Sequence, residues 1–107
     1  MSDPLATDES AAPVHPGVLI RDEFLADLAL TPAELAAAAG LEPDRLMAIL
    51  DARAAIDAEV SLRLGKVFGQ SPRFWLNLQN QHDIEAATRA LGAELDRVRP
   101  LSTHAAE

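Results

Sequence analysis

Two short helix patterns separated by a brief turn constrain this chain more than any other feature. The run TPAE from Thr31 predicts a helix start, because the threonine can cap the third following amide, the glutamate can reach back and proline suits the first helical position. Gly40 should end this helix in the left-handed conformation. Pro43 then opens a second short helix that runs to Leu50. Two such helices joined by a tight turn are typical of a helix-turn-helix unit.

Three further helices are predicted around this pair. The first begins near Pro16 and carries an inward-facing stripe of Ile20, Phe24 and Leu28 at i, i+4 and i+8. A fourth helix should run from an Asp57 cap to Gly69, and a fifth should begin at Ser71-Pro72 and weaken or kink at Gly92.

Because short helices need tertiary packing to form, these patterns predict one all-α, five-helix domain over residues 15–91 with an extended C-terminal helix. Residues 1–14 are expected to form a disordered acidic tail, and residues 92–107 an extension that is helical and then frayed. A generic small helical bundle remains the alternative.

Composition excludes several classes of protein. The 107 residues include no cysteine, which excludes disulfide scaffolds, cysteine-ligated zinc modules and cysteine nucleophiles. No apolar run reaches the ~20 residues of a transmembrane helix, and the N-terminus lacks the basic region of a signal peptide, so we expect a cytoplasmic protein. The three histidines lack metal-ligand spacing and no catalytic grouping is present. We therefore expect no enzyme, no metal, no cofactor and no small-molecule ligand.

The net charge of −8 argues against indiscriminate binding to nucleic acids or membranes. The acidity is concentrated at the N-terminal side, where residues 1–30 carry six acids and one arginine. Residues 57–92 are balanced between acids and bases, so a small cationic face elsewhere is compatible with the total.

Four stretches carry motifs that helix-turn-helix geometry alone does not require. They are HPGVLIRDEFL from His15, AGL at 39–41 with the following Arg45-Leu46, AIDAE at 55–59 and GQSPRFWLNLQ at 69–79. Together they resemble the HigA/VapI-type antitoxins of the XRE/Cro-like helix-turn-helix superfamily, over about residues 15–90. The resemblance implies a non-enzymatic antitoxin that neutralises a HigB/RelE-like mRNA endonuclease toxin and represses its own operon.

The second short helix is the recognition helix in such a domain, and its N-terminal residues should face base edges in the major groove. Arg45 is the best candidate for a base contact, because its fork matches two acceptors of guanine. The alternative is that Arg45 is solvated or pairs with Asp44 or Glu42. The full set of predicted DNA-binding residues is Thr31, Pro43, Asp44, Arg45, Met47, Ala48 and Arg53.

The turn after this helix departs from the family pattern of Asn-Gly followed by two basic residues. Ala52 stands where the family has glycine, so a left-handed backbone there would cost about 1 kcal/mol. Ala54 replaces one basic residue and removes a phosphate contact, whereas Arg53 remains. Arg63, Lys66 and Arg73 are read as solvated charges rather than contacts.

Two further surfaces are predicted. Because the toxin class is basic, an acidic surface of Asp22, Glu23 and Asp27, extended by Asp3, Asp8 and Glu9 of the tail, is expected to bind it, unless these acids serve only solubility. The apolar residues Ile84, Ala87, Leu91, Leu95 and Val98 exceed what a short bundle needs, which predicts a homodimer through the C-terminal third.

The aromatic stripe around Trp75 is interpreted as core or dimer seam, with Asn77 and Gln79 available to bond across an interface. Two rival functions stay open at this point. One is a stand-alone XRE-family repressor without a toxin partner. The other is a helical interaction protein with weakened DNA binding, which the losses at Ala52 and Ala54 and the net charge favour.

Overall fold

A computed structural model describes residues 13–101, and this part of the chain contains helices and no strand. The predicted all-α arrangement of five helical segments and a C-terminal extension is confirmed. Residues 1–12 of the predicted tail, with Asp3, Asp8 and Glu9, and residues 102–107 lie outside the described range. The elements are α1 (Pro16–Leu19), a π-helical turn (Ile20–Phe24), α2 (Leu25–Leu28), α3 (Pro32–Ala39), α4 (Pro43–Leu50), α5 (Ala58–Phe68), α6 (Phe74–Leu91) and α7 (Ala93–Asp96).

The first helical segment is not the regular helix that its apolar spacing predicts. Ile20 is fully buried and Phe24 packs against the core, as expected, but Leu28 is 52% exposed and Leu25, one residue after Phe24, is buried. The inward orientation predicted for Leu28 is therefore wrong. The π-helical turn at residues 20–24 is the cause, because a wider turn holds one more residue and shifts the buried positions after it by one.

The two short helices form as predicted, and α3 carries a capping group at each end. Thr31 Oγ1 accepts from the Glu34 amide at 3.1 Å, and Glu34 Oε1 accepts from the Thr31 amide at 2.8 Å. Gly40 ends α3 with φ +68°, in the left-handed conformation. Leu46, Ile49 and Leu50 of α4 are buried. α3 contacts both α4 and α5, and α1 packs on α4 and α6.

The long helix α6 begins at Phe74, so the predicted start at Ser71-Pro72 is too early. Ser71 instead closes a turn, accepting from the Arg73 amide at its hydroxyl and from the Phe74 amide at its carbonyl. Buried Ser61 of α5 supplies the cap, since its hydroxyl accepts from the Leu76 amide at 3.0 Å and donates to the Pro72 carbonyl at 2.7 Å. A helix start capped by a distant side chain leaves no local sequence signal.

The core centres on Trp75, which is fully buried between Phe24, Phe68 and Phe74. Its indole N–H donates to Gln70 Oε1 at 2.6 Å. The core role predicted for Trp75 is confirmed. Gln79 is also buried, and it accepts from the Ile56 amide at 2.8 Å and donates to Asp83 at 2.9 Å. Gln79 thus bonds inside the subunit rather than across an interface.

Candidate nucleic-acid interface

The residues predicted to bind DNA remain accessible on the helix-turn-helix unit. Asp44 and Met47 lie three residues apart on α4, and the residues of the same helix that are buried are Leu46, Ile49 and Leu50. Burial of these three residues turns the opposite side of α4 outward. Among the predicted set, Thr31, Pro43, Asp44, Met47 and Arg53 are exposed, and Arg45 and Ala48 are half-buried.

Arg45 forms ion pairs that the sequence does not predict. Its Nη2 donates to Asp57 Oδ2 at 2.7 Å and its Nη1 to Glu59 Oε1 at 3.3 Å. These carboxylates lie 12 and 14 residues after Arg45, at the start of α5. The sequence suggests Asp44 or Glu42 as alternative partners instead. Hydrogen bonds from Arg45 and Arg63 hold the pKa of Glu59 below its ordinary value. The side chain of Arg45 is still 37% exposed.

The turn after α4 has the strained backbone that its sequence predicts. Ala52 has φ +61°, a conformation that costs a non-glycine residue about 1 kcal/mol. The turn is held by the Arg53 and Ala54 amides, which both donate to the Ala48 carbonyl. Arg53 donates to Asp51 at 3.4 Å and is 65% exposed, so its guanidinium can reach an incoming phosphate.

His15 joins three parts of the fold at the base of this turn. Its Nδ1 accepts from the Gly17 amide at 2.9 Å and so caps α1, while the ring also hydrogen-bonds the backbone of Ala54. Its ring lies 5.2 Å from that of His82 on α6, and His82 is paired with Asp83 at 2.9 Å. The pKa of His15 is lowered, first by burial and then by His82. Protonation at Nδ1 would also remove the cap.

We expect the free energy of unfolding to depend on the protonation of His15. The lowered pKa means that the unfolded chain takes up a proton near pH 6.5 while the folded chain resists it. The free energy of unfolding should therefore carry no penalty from His15 above pH 6.5 and should decrease as the pH falls below that value. Urea unfolding of the parent and of His15→Asn, which keeps a capping oxygen, measures this difference. The same pH dependence in both proteins would contradict the assignment.

The three acids predicted to bind a toxin fall into two environments. Asp22 pairs with Arg21 at 2.9 Å, which lowers the pKa of the aspartate, and Arg21 also reaches the Leu50 carbonyl of α4 at 3.5 Å. Glu23 and Asp27 instead line one apolar groove of about 510 Å³. The other residues of this groove are Phe24, Leu28, Val67 and Phe68.

Glu23 also borders a second apolar groove, of about 370 Å³, between the first helical segment and α6. Leu19 and Leu78 lie along it, and Glu85 and His82 stand at its edge. Glu23 therefore separates two apolar grooves, and neither is lined by lysine or arginine. Sequence reasoning missed Glu85 here, because it belongs to a helix that is remote along the chain.

The residues predicted to form a dimer interface are open to contact on the monomer. Ile84 is 68% exposed, and Leu91 and Leu95 are also largely accessible. Ile84, Ala87 and Leu91 recur at i, i+3 and i+7 and therefore share one side of α6. Gly92, with φ +54°, then ends this helix.

Two further searches concern only residues 13–101. No helix there combines the length and apolar character needed to cross a lipid bilayer. In the same range, no group of three or more histidine, aspartate and glutamate residues is arranged to hold a metal ion.

Known proteins are similar to this chain over most of its length. Virulence-associated protein I of Dichelobacter nodosus is 34% identical over 105 residues, covering 98% of this chain and 95% of that protein. The uncharacterized HTH-type transcriptional regulator YddM of Escherichia coli is 34% identical over 89 residues, covering 83% of this chain and 92% of that protein. No known family profile matches the chain.

The similarity extends to a solved structure that contains DNA. The Pseudomonas aeruginosa antitoxin HigA with the higBA promoter superposes with a TM-score of 0.78 at 35% identity, covering 84% of this chain and 99% of that one. Identity and coverage at this level, together with the pair of short helices and the Trp75 core, show a common family. This chain belongs to the HigA/VapI family of helix-turn-helix antitoxins.

Proposed function

We propose that this chain is an antitoxin that represses its own operon by placing α4 in the major groove of operator DNA. The observation that carries the proposal is the match, over 84% of the chain, to an antitoxin whose structure includes its promoter. The chain keeps the elements that this docking needs, namely a capped α3, an accessible side of α4 and a buried opposite side. Such a protein acts on DNA directly, is no enzyme and works in the cytoplasm.

Individual roles follow from position on the helix-turn-helix unit. Arg45, near the N-terminus of α4, is proposed to read a base through its guanidinium, with Asp44, Met47 and Ala48 lining the same interface. Thr31 and Pro43 stand at the N-terminal ends of the two helices, where phosphate contacts commonly lie. Exposed Arg53 is proposed to contact a phosphate.

A gel shift on the chain's own promoter tests this proposal. Arg45→Ala should weaken operator binding by about 1–3 kcal/mol and relax specificity at one base position. Arg53→Ala should weaken binding to all sequences alike and flatten its salt dependence. Lys66→Ala, which removes an exposed charge from the last turn of α5, is the control and should change little. Undiminished operator binding by Arg45→Ala would show that α4 is not the reading helix.

Two copies of the chain are proposed to bind together. Helix-turn-helix domains commonly occupy two half-sites about one DNA turn apart, which requires a dimer. The exposed residues Ile84, Ala87, Leu91 and Leu95 are proposed as the interface. Light scattering should therefore give a dimer mass, and Ile84→Glu with Leu91→Glu should give a monomer. A monomeric parent at tens of micromolar would contradict the proposal.

A HigB/RelE-like toxin is the proposed protein partner, and Asp22, Glu23 and Asp27 its proposed contact. A ribosome-dependent mRNA endonuclease engages phosphates and is therefore basic. Opposite charges on the two proteins would speed their association and make it sensitive to salt. The apolar grooves on both sides of Glu23 would add buried contact area to this attraction.

A stand-alone repressor is the second candidate, because one relative of this chain is named only as a transcriptional regulator. The neighbouring reading frame separates the two functions. A short adjacent frame with a basic product supports the antitoxin, and its absence supports the repressor. A helical interaction protein without DNA binding would instead give no shift on the promoter.

A further inference from the structure

A chain of hydrogen bonds connects the reading helix to α5 and to the end of α3. Arg45 donates to Asp57 at 2.7 Å and to Glu59 at 3.3 Å. Glu59 accepts in addition from Arg63 Nε at 3.0 Å, and Arg63 Nη1 donates to the Ala39 carbonyl at 3.2 Å. The position of the Arg45 guanidinium is thus tied to both helices that flank α4.

These contacts occupy the part of Arg45 that would recognise a base. A guanidinium offers five N–H groups in a rigid fork, and a guanine contact uses two parallel ones. In Arg45, Nη1 and Nη2 each already donate to a different carboxylate. A guanine contact through the N–H groups that make these bonds therefore requires Arg45 to give up at least one of them.

The relative strengths of the ion pairs and of the DNA contacts decide when Arg45 leaves its carboxylates. The carboxylates of Asp57 and Glu59 are more than half exposed, and exposed ion pairs are worth a few-fold in an equilibrium at most. A bidentate guanine contact is worth about tenfold or more. A single phosphate contact is not stronger than an ion pair by a comparable factor. Both carboxylates also repel phosphates.

We propose that Glu59, together with Asp57, is a specificity-determining residue that withholds Arg45 from DNA backbone and releases it to guanine. The inference rests on the proposed DNA-binding function. In this proposal, the two acids at the start of α5 suppress binding to unrelated DNA sequences, although they lie outside the helix-turn-helix pair. Such suppression matters because a repressor must find its operator among a large excess of other sites.

Glu59→Gln is the variant that isolates this role. The amide keeps the size of the side chain and an acceptor oxygen, while Arg63 keeps its bond to the Ala39 carbonyl. Asp57→Asn is the second variant, since asparagine can still accept from the Val60 amide, as Asp57 does at 3.0 Å. Thermal unfolding confirms that both variants are folded.

The experiment compares binding to the chain's own promoter fragment with binding to unrelated DNA of equal length, over a series of salt concentrations. Glu59→Gln should tighten binding to unrelated DNA by about two- to fivefold and binding to the promoter by less, because Arg45 is freed for phosphates. The ratio of the two affinities should fall at least about twofold. The salt dependence on unrelated DNA should steepen by up to about one unit.

Glu42→Gln is the matched control. It removes the same charge by the same substitution at the N-cap of α4, but Glu42 makes no hydrogen bond to Arg45 in the part of the chain that the structure describes. Both DNAs should bind somewhat more tightly, with their affinity ratio unchanged. An equal fall of the ratio in Glu42→Gln and Glu59→Gln would overturn the proposal in favour of simple charge removal.

The Arg45→Ala background gives the decisive comparison. There, Glu59→Gln should no longer change the affinity ratio, because the residue it acts through is absent. A change of the same size in both backgrounds, or an unchanged ratio in folded Glu59→Gln, would overturn the role of Glu59 alone. A parent protein that does not distinguish its promoter from unrelated DNA would overturn the proposed function itself.

Discussion

Changing Asp22, Glu23 and Asp27 together to lysine should weaken binding to the neighbouring basic toxin by at least about 100-fold. The physical reason is that three negative charges become positive at the proposed contact, a net change of six units, and like charges brought together cost several kcal/mol. Operator binding should remain intact or become tighter, since the same acids repel DNA. Titration calorimetry with the toxin and a gel shift with the promoter measure the two activities separately.

The structure refines this experiment into a matched comparison. Glu23 and Asp27 line one apolar groove, whereas Asp22 is already neutralised by Arg21. The pair Glu23→Lys and Asp27→Lys should therefore account for most of the loss, and Asp22→Lys alone for little. Unchanged toxin affinity in the triple variant would show that the toxin binds another surface. Equal loss in Asp22→Lys and in the pair would show that the groove is not involved.

Gly17→Ala should destabilise the fold by about 3 kcal/mol, near the upper end for an overpacked site. A Cβ atom at this position would overlap the Ile49 carbonyl oxygen and lie 2.7 Å from the carbonyl carbon. Because Ile49 belongs to α4, relief of the overlap requires α1 and the reading helix to separate. Urea unfolding should show the loss of stability, and a gel shift should show weaker operator binding.

Gly69→Ala provides the control for this substitution. Gly69 also tolerates no side chain without strain, because its φ is +68°, but a Cβ there would meet no atom within 4 Å. Its cost should be limited to about 1 kcal/mol from the backbone, with operator binding retained. Equal stability losses at the two glycines would contradict the close packing of α1 on α4.

Local chemistry made the helix ends predictable. Thr31 and Glu34 bond each other across three residues, Asp57 caps the amide of Val60, and Gly40 takes the left-handed conformation within its own turn. The left-handed backbone of Ala52 was predictable in the same way, because the family has glycine at that position. Each of these signals involves neighbours that the unfolded chain already places together.

The candidate site was predictable in position but not in its connections. The accessible side of α4 follows from the spacing of Leu46, Ile49 and Leu50, and the residues predicted to read DNA lie on that helix and its flanking turns. The partners of Arg45 could not be found in this way, because Asp57 and Glu59 approach it only after α4 and α5 have packed. The roles of these residues in DNA binding remain predictions.

The sequence by itself determined the all-α class, the pair of short helices and the family, because caps, periodicity and the motifs at 15–25 and 69–79 are properties of short segments. Only the tertiary structure decided which way Leu28 points, where α6 begins and what holds Arg45. The π-helical turn, the Ser61 cap and the Arg45 ion pairs each join groups by the shape of the packed core. The spacing of residues along the chain does not indicate a contact that forms only when helices from different parts of the sequence pack together.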